Sequence, residues 1–381
     1  MTPPFAGGPG RRYVKDMGRD RQHVGQVQPQ QVEAYLQRRG YADAKLISLQ
    51  PLGGDTQGGV KAYGYGRPLL VTFAAAGRQE RLVLRTMSPD PFSHDQRADR
   101  AYQMILCRDS FNTIPQHIHA LDAGAFDGEG ALISAGDGEW FLLTDYVDGE
   151  LYAGDLGRIA AADQAAALDC QRAGALATFL ADLHSRPADR VHYLRHIRDT
   201  VGTGEGIFGQ SDSYPPEDPV APPARLQAIE RRAIAWRWKL RAFAHRACVT
   251  HGDFHPFNLL FRQGSDFSVL DCSRGGMGEA ADDVTCLSVN YLFFALRGRG
   301  RFDGALRQVW EIFWRTYLAA SKDKEVLAMV PIYFTWRALV LASPVWYPQL
   351  DVGIREALLS FSERLLDGAP FVPDQVDALL P

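Results

Sequence analysis

The amino-acid sequence predicts an α+β chain in two lobes, a small β-rich N-terminal lobe and a larger, mainly helical C-terminal one. Three observations lead there. Between residues 45 and 86 short apolar and branched runs are separated by Gly-rich turns, the signature of antiparallel strands. Beyond about residue 148 the character switches to Ala/Leu-rich helical stretches. The chain of 381 residues also exceeds the size at which a single hydrophobic core stops growing, roughly 250 to 300 residues.

The elements follow in order. Residues 1–27 are Pro/Gly-rich and basic and read as a flexible arm. An N-terminal lobe is expected over 28–146, opening on a short amphipathic helix (28–39) that Gly40 stops. Strands are expected at Lys45–Leu52, Val60–Tyr65, Leu69–Phe73 and Arg81–Thr86, a helix from Ser93 to Arg108, and further strands at Ala131–Ser134 and Trp140–Tyr146. The C-terminal lobe then spans 147–381, with a helix over Ala161–His184. The Gly/Pro-rich stretch 200–223 is too long for a simple connector and reads as functional or mobile. Its acidic residues Glu205, Asp212, Glu217 and Asp218 read as solvated, and Trp236 reads as core.

Composition excludes several classes. A formal charge of −4 argues against nucleic acid as partner. The five cysteines are odd in number and scattered, so neither a disulfide framework nor a C-x-x-C zinc site is expected, and a reducing cytoplasm suits them. The most apolar stretch, 326–346, carries Arg337 near its centre and Pro331 and Pro344 within it. A buried helical hairpin is therefore expected rather than a membrane span, because a central Arg is costly in lipid. No feature sets an oligomeric state.

The chemistry concentrates at 249–260, VTHGDFHPFNLL. Asp253 and Asn258 form D-x-x-x-x-N, and Asp271 follows at the end of the apolar run that starts at Phe267. This is the spacing of a kinase catalytic loop, in which one carboxylate meets the acceptor hydroxyl while an amide and a second carboxylate hold magnesium against the donor phosphates. A hairpin of Leu259–Phe261 and Phe267–Leu270 would return Asn258 and Asp271 to one end. His251 and His255 lie four apart, but no third ligand of suitable spacing accompanies them, and structural roles are expected.

HGDFHPFN followed by VLDCSRGGMGEAADDV resembles the aminoglycoside phosphotransferase and choline kinase-like family, relatives of the protein kinases. The resemblance runs from about residue 45 to about 345 and is most specific between 249 and 285. It implies a bilobal protein kinase-like fold, ATP and Mg2+ as cofactors, and transfer of the γ-phosphoryl group to a hydroxyl of a sugar, aminocyclitol or amino alcohol. Asp253 would be the catalytic carboxylate, with Asn258 and Asp271 as metal ligands. Asp283 would brace the loop, although a carboxylate opening a helix also reads as an N-cap. On the nucleotide side the resemblance implies a covering loop with Gly53, Gly54, Thr56, Gln57 and Gly58, a cation at Arg85 paired with Asp99, and adenine against the segment holding Thr144 and Tyr146. Arg85 departs from the protein-kinase lysine, and Asp99 stands where a Glu is usual. Two other readings stay open: the same chemistry on a protein Ser/Thr, and a non-catalytic nucleotide-binding module.

Overall fold

The computed structural model describes residues 27–52, 68–89, 93–136, 138–272 and 274–381. The arm, the glycine-rich loop and the expected strand Val60–Tyr65 lie outside them. Helices and strands are mixed, and the chain divides into two compact units with the boundary after Leu143.

In the first unit, helix α1 (Pro29–Arg38) ends where Gly40 takes φ +101°, a conformation only glycine adopts freely. Strands β1 (Lys45–Pro51), β2 (Leu69–Ala75) and β3 (Arg78–Leu84) form an antiparallel sheet in that order. Val71, Phe73 and Ala75 alternate along β2 and pack with Val32 and Leu36 of α1 into a small core. Helix α2 (Arg97–Phe111) and the short hairpin β4 (Gly124–Phe126) and β5 (Leu132–Ser134) follow. The expected strand Trp140–Tyr146 does not form: the backbone there is irregular, and Trp140, Phe141, Leu142, Leu143 and Tyr146 are exposed. An apolar run becomes a strand only where a neighbouring edge supplies hydrogen bonds, and none pairs with it among the described residues.

The second unit is mainly helical. Strand β6 (Glu150–Leu151) leads into α3 (Tyr152–Ala162) and α4 (Ala167–His184). The single helix expected over Ala161–His184 is thus broken, at Asp163, which takes φ +50° and accepts the Ala305 amide at 2.9 Å. Helices α5 (Arg190–Gly202), α6 (Ile207–Asp212) and α7 (Pro223–Leu240) come next. Strand β7 (Cys248–Val249) precedes the hairpin β8 (Leu259–Phe261) and β9 (Phe267–Val269), and β10 (Met277–Gly278) returns to pair with β7. Helices α8 (Ala280–Arg299), α9 (Gly304–Ser321), α10 (Val326–Leu341) and α11 (Val352–Leu366) complete the unit.

Helix α8 is buried from Ala280 to Leu296, and the core gathers round it. The apolar stretch 326–346 forms one buried helix, α10, that accommodates Pro331 and ends at Leu341, short of Pro344; it packs against α8 and α11 rather than against a second half of itself. Among the described residues no helix is long and apolar enough to cross a membrane. The 200–223 stretch is anchored at Asp218 and Tyr214, while Glu205, Asp212 and Glu217 are exposed. Asp218 is buried, accepts the amides of Val220 and Ala221 and meets Arg355 at 2.5 Å, while the Tyr214 hydroxyl donates to Leu339 O at 2.7 Å.

Candidate active site

The loop from Thr250 to Asn258 leaves β7 with few backbone partners, so side chains hold it. Gly252 takes φ +84°, and a Cβ there would stand 3.2 Å from Gly275 O. The Asp283 carboxylate, near the start of α8, accepts the amides of His251 at 2.7 Å and Gly252 at 2.8 Å, and His184 Nε2 lies 3.1 Å from it. The helix cap is Glu279, whose side chain accepts the Ala281 amide, so Asp283 is free to brace the loop. His251 Nδ1 accepts the Asp253 amide, which assigns the ring proton to Nε2, and Nε2 donates to Leu270 O at 2.8 Å. His251 therefore ties the loop to the hairpin.

Asn258 closes a short 3-10 turn and donates Nδ2 to Asp253 O at 3.0 Å, which leaves Oδ1 as the group available to a cation. Its carbonyl accepts the Leu270 amide at 2.8 Å, one residue beyond the β8–β9 ladder. Asp271 follows directly, exposed and at φ +45°, so the hairpin brings the backbones of Asn258 and Asp271 to one end. Two hard oxygen donors suit Mg2+, which completes its shell with water and phosphate. Among the described residues no cluster of three or more His, Cys, Asp or Glu side chains is arranged to hold a metal by itself.

Asp253 is largely buried. Its Oδ1 meets Arg274 Nη1 at 2.5 Å and Arg337 Nη1 at 3.0 Å, and its Oδ2 faces His255 Nε2 at 3.5 Å. Burial pushes this carboxyl up, but the His255 hydrogen bond and the charges of Arg337 and Arg274 outweigh burial and hold it well below the usual carboxylate range. Asp253 is thus an anion at any working pH.

A model described as the phosphotransferase enzyme family matches residues 70–321, a range that takes in β2 and β3 of the N-terminal sheet, the loop and its hairpin but not β1. The chain belongs to the phosphotransferase enzyme family. Similar solved structures include a glucosamine kinase in complex with glucosamine, ADP and inorganic phosphate, 19% identical over 57% of this chain and 61% of that one, with a TM-score of 0.39. Choline kinase LicA from Streptococcus pneumoniae is 11% identical over 89% and 99% of the two chains, with a TM-score of 0.33. A Plasmodium vivax ethanolamine kinase is 11% identical over 96% and 97%, with a TM-score of 0.37. The phosphotransferase spans about three-fifths of the first of these and nearly all of the other two. No curated protein matches it.

Several residues of this phosphotransferase's loop environment escaped sequence reasoning. Arg274 reaches from Asp253 to Glu205 at 3.0 Å and lies over the Trp336 ring at 4.8 Å, so Glu205, though exposed, is ion-paired. Arg337 contacts Gly252 O at 2.9 Å and Asp282 Oδ1 at 2.6 Å besides Asp253. Its signal was present in the sequence: a lone Arg in an apolar helix has to meet a buried carboxylate. On the nucleotide side, Gly53, Gly54, Thr56, Gln57 and Gly58 lie outside the described residues. Arg85 is exposed just past β3, and no ion pair joins it to Asp99 among the described residues. Asp99 Oδ2 instead accepts the Gln96 amide at 2.8 Å at the start of α2. Thr144 and Tyr146 stand in the irregular, exposed segment after Leu143.

Proposed function

We propose that the protein transfers the γ-phosphoryl group of ATP to a hydroxyl of a small molecule, with Asp253 as the carboxylate that meets the acceptor. The observation that carries this reading is the unequal treatment of its two oxygens. Oδ1 is taken up by two guanidinium groups, and Oδ2 is turned to the His255 side of the loop. A carboxylate held this way accepts a hydrogen bond from an alcohol and aims the oxygen lone pair at phosphorus. In a loose transition state the bond to the leaving ADP oxygen is largely broken before the new O–P bond forms, so the alcohol proton leaves late. A weakly basic anion serves, because its task is orientation more than proton removal.

Asn258 Oδ1 and Asp271 would hold Mg2+, which when bound supplies positive charge against the phosphate oxygens. Their placement at one end of the β8–β9 hairpin supports this assignment. The glycine-rich loop at 53–59, Arg85, Asp99 and the segment with Thr144 and Tyr146 are assigned to the nucleotide by their sequence positions. An acceptor among sugars, aminocyclitols and amino alcohols, and a cytoplasmic setting, belong to the same reading.

The test is Asp253→Ala, with ADP formation followed over a panel of such hydroxyl compounds and MgATP binding followed by calorimetry. The variant binds MgATP as the parent does and loses turnover by about 10²–10⁴-fold, the span typical of a positioned acid–base group. Parental turnover in the variant would remove Asp253 from the mechanism.

A further inference from the structure

We propose that Arg337, eighty-odd residues downstream of the loop, is a positioning residue for phosphoryl transfer: clamped between Asp282 and Gly252 O, it holds Asp253 Oδ1 so that Oδ2 is the oxygen presented to the acceptor. The inference deepens the reading above and rests on it for the identity of the acceptor-facing carboxylate.

The geometry leaves the guanidinium little freedom. Nη1 meets Asp253 Oδ1 at 3.0 Å, while Nη2 donates to Gly252 O at 2.9 Å and Asp282 Oδ1 at 2.6 Å. The three acceptors come from the loop backbone, the loop side chain and the first turn of α8. Arg337 itself sits on α10, which is buried along nearly all its length and packs against α8. Its side chain is 6% exposed, against 25% for Arg274. Arg274 also binds Asp253 Oδ1, but its other charged partner is the exposed carboxylate of Glu205, and it meets α10 through its stacking over the Trp336 ring rather than by a hydrogen bond. Arg337 makes the charged hydrogen bond from the helical core to this carboxylate, beside the longer 3.9 Å contact of Cys286 Sγ on α8 with the same oxygen.

Stability alone gives a poor account of this arrangement. Replacing a buried ion pair with apolar side chains of similar volume is commonly neutral or stabilising. Here a buried helix otherwise without charge admits one cation, and the cation spends its hydrogen bonds on the loop and on Asp282. Asp282 supplies the counter-charge: without it, Arg337 would face Asp253 alone and its second nitrogen would hold only a carbonyl. Asp282 Oδ2 has no hydrogen bond, and the His196 ring Nε2 lies 3.6 Å from Asp282 Oδ2. Arg337 is thus its principal partner.

The closing experiment removes the buried charges together, as Arg337→Met with Asp282→Asn, and compares the variant with Asp282→Asn alone. The probe is MgATP, with water as acceptor and phosphate release as readout. A positioning role predicts a folded variant with parental MgATP affinity and KM, a kcat lower by about 10²-fold, the effect of a small misplacement at a reacting centre, and an Asp253 carboxylate displaced in the variant's crystal structure. Arg337→Lys keeps the charge but cannot span three acceptors. It should recover part of the loss, and it carries the same readouts if the double variant does not fold. Parental kcat in a folded variant, or a kcat loss matched by weaker MgATP binding, would overturn the proposal. Were the parent itself unable to turn over MgATP with water or with any of the hydroxyl compounds named above, the phosphotransfer reading would fall. The crystal structure would still decide the positioning: Asp253 unmoved and held by Arg274 alone overturns it.

Discussion

Asp283→Ala tests how the loop that carries Asp253 is held. The carboxylate is fully buried and satisfies three donors, the amides of His251 and Gly252 and the ring of His184. Truncation leaves all three facing a small apolar void. A buried donor without a partner costs about 1–3 kcal/mol, so the three together set an upper range of roughly 3–9 kcal/mol. Two effects reduce it. The variant no longer buries the carboxylate itself, and Asp282 loses a like-charged neighbour, whose repulsion together with burial pushes the Asp282 carboxyl up. Breaking a buried pair by deleting one partner typically costs about 3–5 kcal/mol, and that is the expected loss. For a unit of this size each kcal/mol lowers Tm by about 2–4 °C, so a drop of roughly 6–20 °C follows. Tryptophan fluorescence in a urea or thermal ramp reads it directly, because six of the seven tryptophans lie beyond Leu143. Asp283→Asn keeps one acceptor oxygen and should fall between parent and Ala. An Ala variant within about 1 kcal/mol of the parent would show that water replaces the carboxylate freely and that the loop does not depend on it.

Asp271→Asn retains a residue type that tolerates the left-handed backbone at this position and removes only the charge. The melting curve should stay parental, while calorimetry with and without Mg2+ should show ATP affinity that no longer responds to the metal. Asp218→Asn tests the anchor of the 200–223 stretch through pH. Burial raises the Asp218 carboxyl, but Arg355 and the amides of Ala221 and Val220 outweigh it and hold the group below its ordinary value. A carboxyl with a depressed folded pKa contributes stability above its unfolded value of about 3.9 and loses it as pH falls through the folded value. The difference between parent and variant in urea titrations should therefore be constant from about pH 7 to pH 5 and shrink only below about pH 4; a gap that closes already near neutrality would refute the pairing.

What could be read in the sequence was what local spacing dictates. The placement of Asp253, Asn258 and Asp271 on one loop and hairpin was legible because a five-residue loop step and one hairpin suffice to set it, and each lies within twenty residues of the others. The alternation along β2 and the glycine stop of α1 are likewise short-range facts. Long-range pairing was invisible. Arg337 meets Asp253 across 84 positions, and the Asp163 carboxylate caps α9 across 142, which breaks what Ala-rich sequence presents as one continuous helix. The run Trp140–Tyr146 failed for a related reason, since apolar alternation describes a strand's faces and says nothing about which edge will pair with it. Of the 200–223 acids, Asp212 and Glu217 are exposed as expected, but the solvated reading failed for Asp218, and Glu205 is exposed yet ion-paired, because neither Arg355 nor Arg274 announces its partner in sequence.

The loop that carries Asp253 is short of backbone partners by necessity, because a regular ladder would turn its side chains alternately to two faces instead of gathering them at one place. Its polar groups must be met from elsewhere, and they are met by charged side chains: Asp283 from below, His251 across to the hairpin, Arg337 from a helix that is otherwise apolar. Each bond that satisfies a buried loop amide or carbonyl also restricts where Asp253 can point. Stability of the second unit and orientation of the reacting carboxylate are therefore set by the same bonds. It follows that variants of Asp282, Asp283 and Arg337, none of which reaches an acceptor, should alter turnover and melting in different ratios. Asp283 acts on the backbone amides and should move both, whereas Arg337 removed together with Asp282 should move turnover alone.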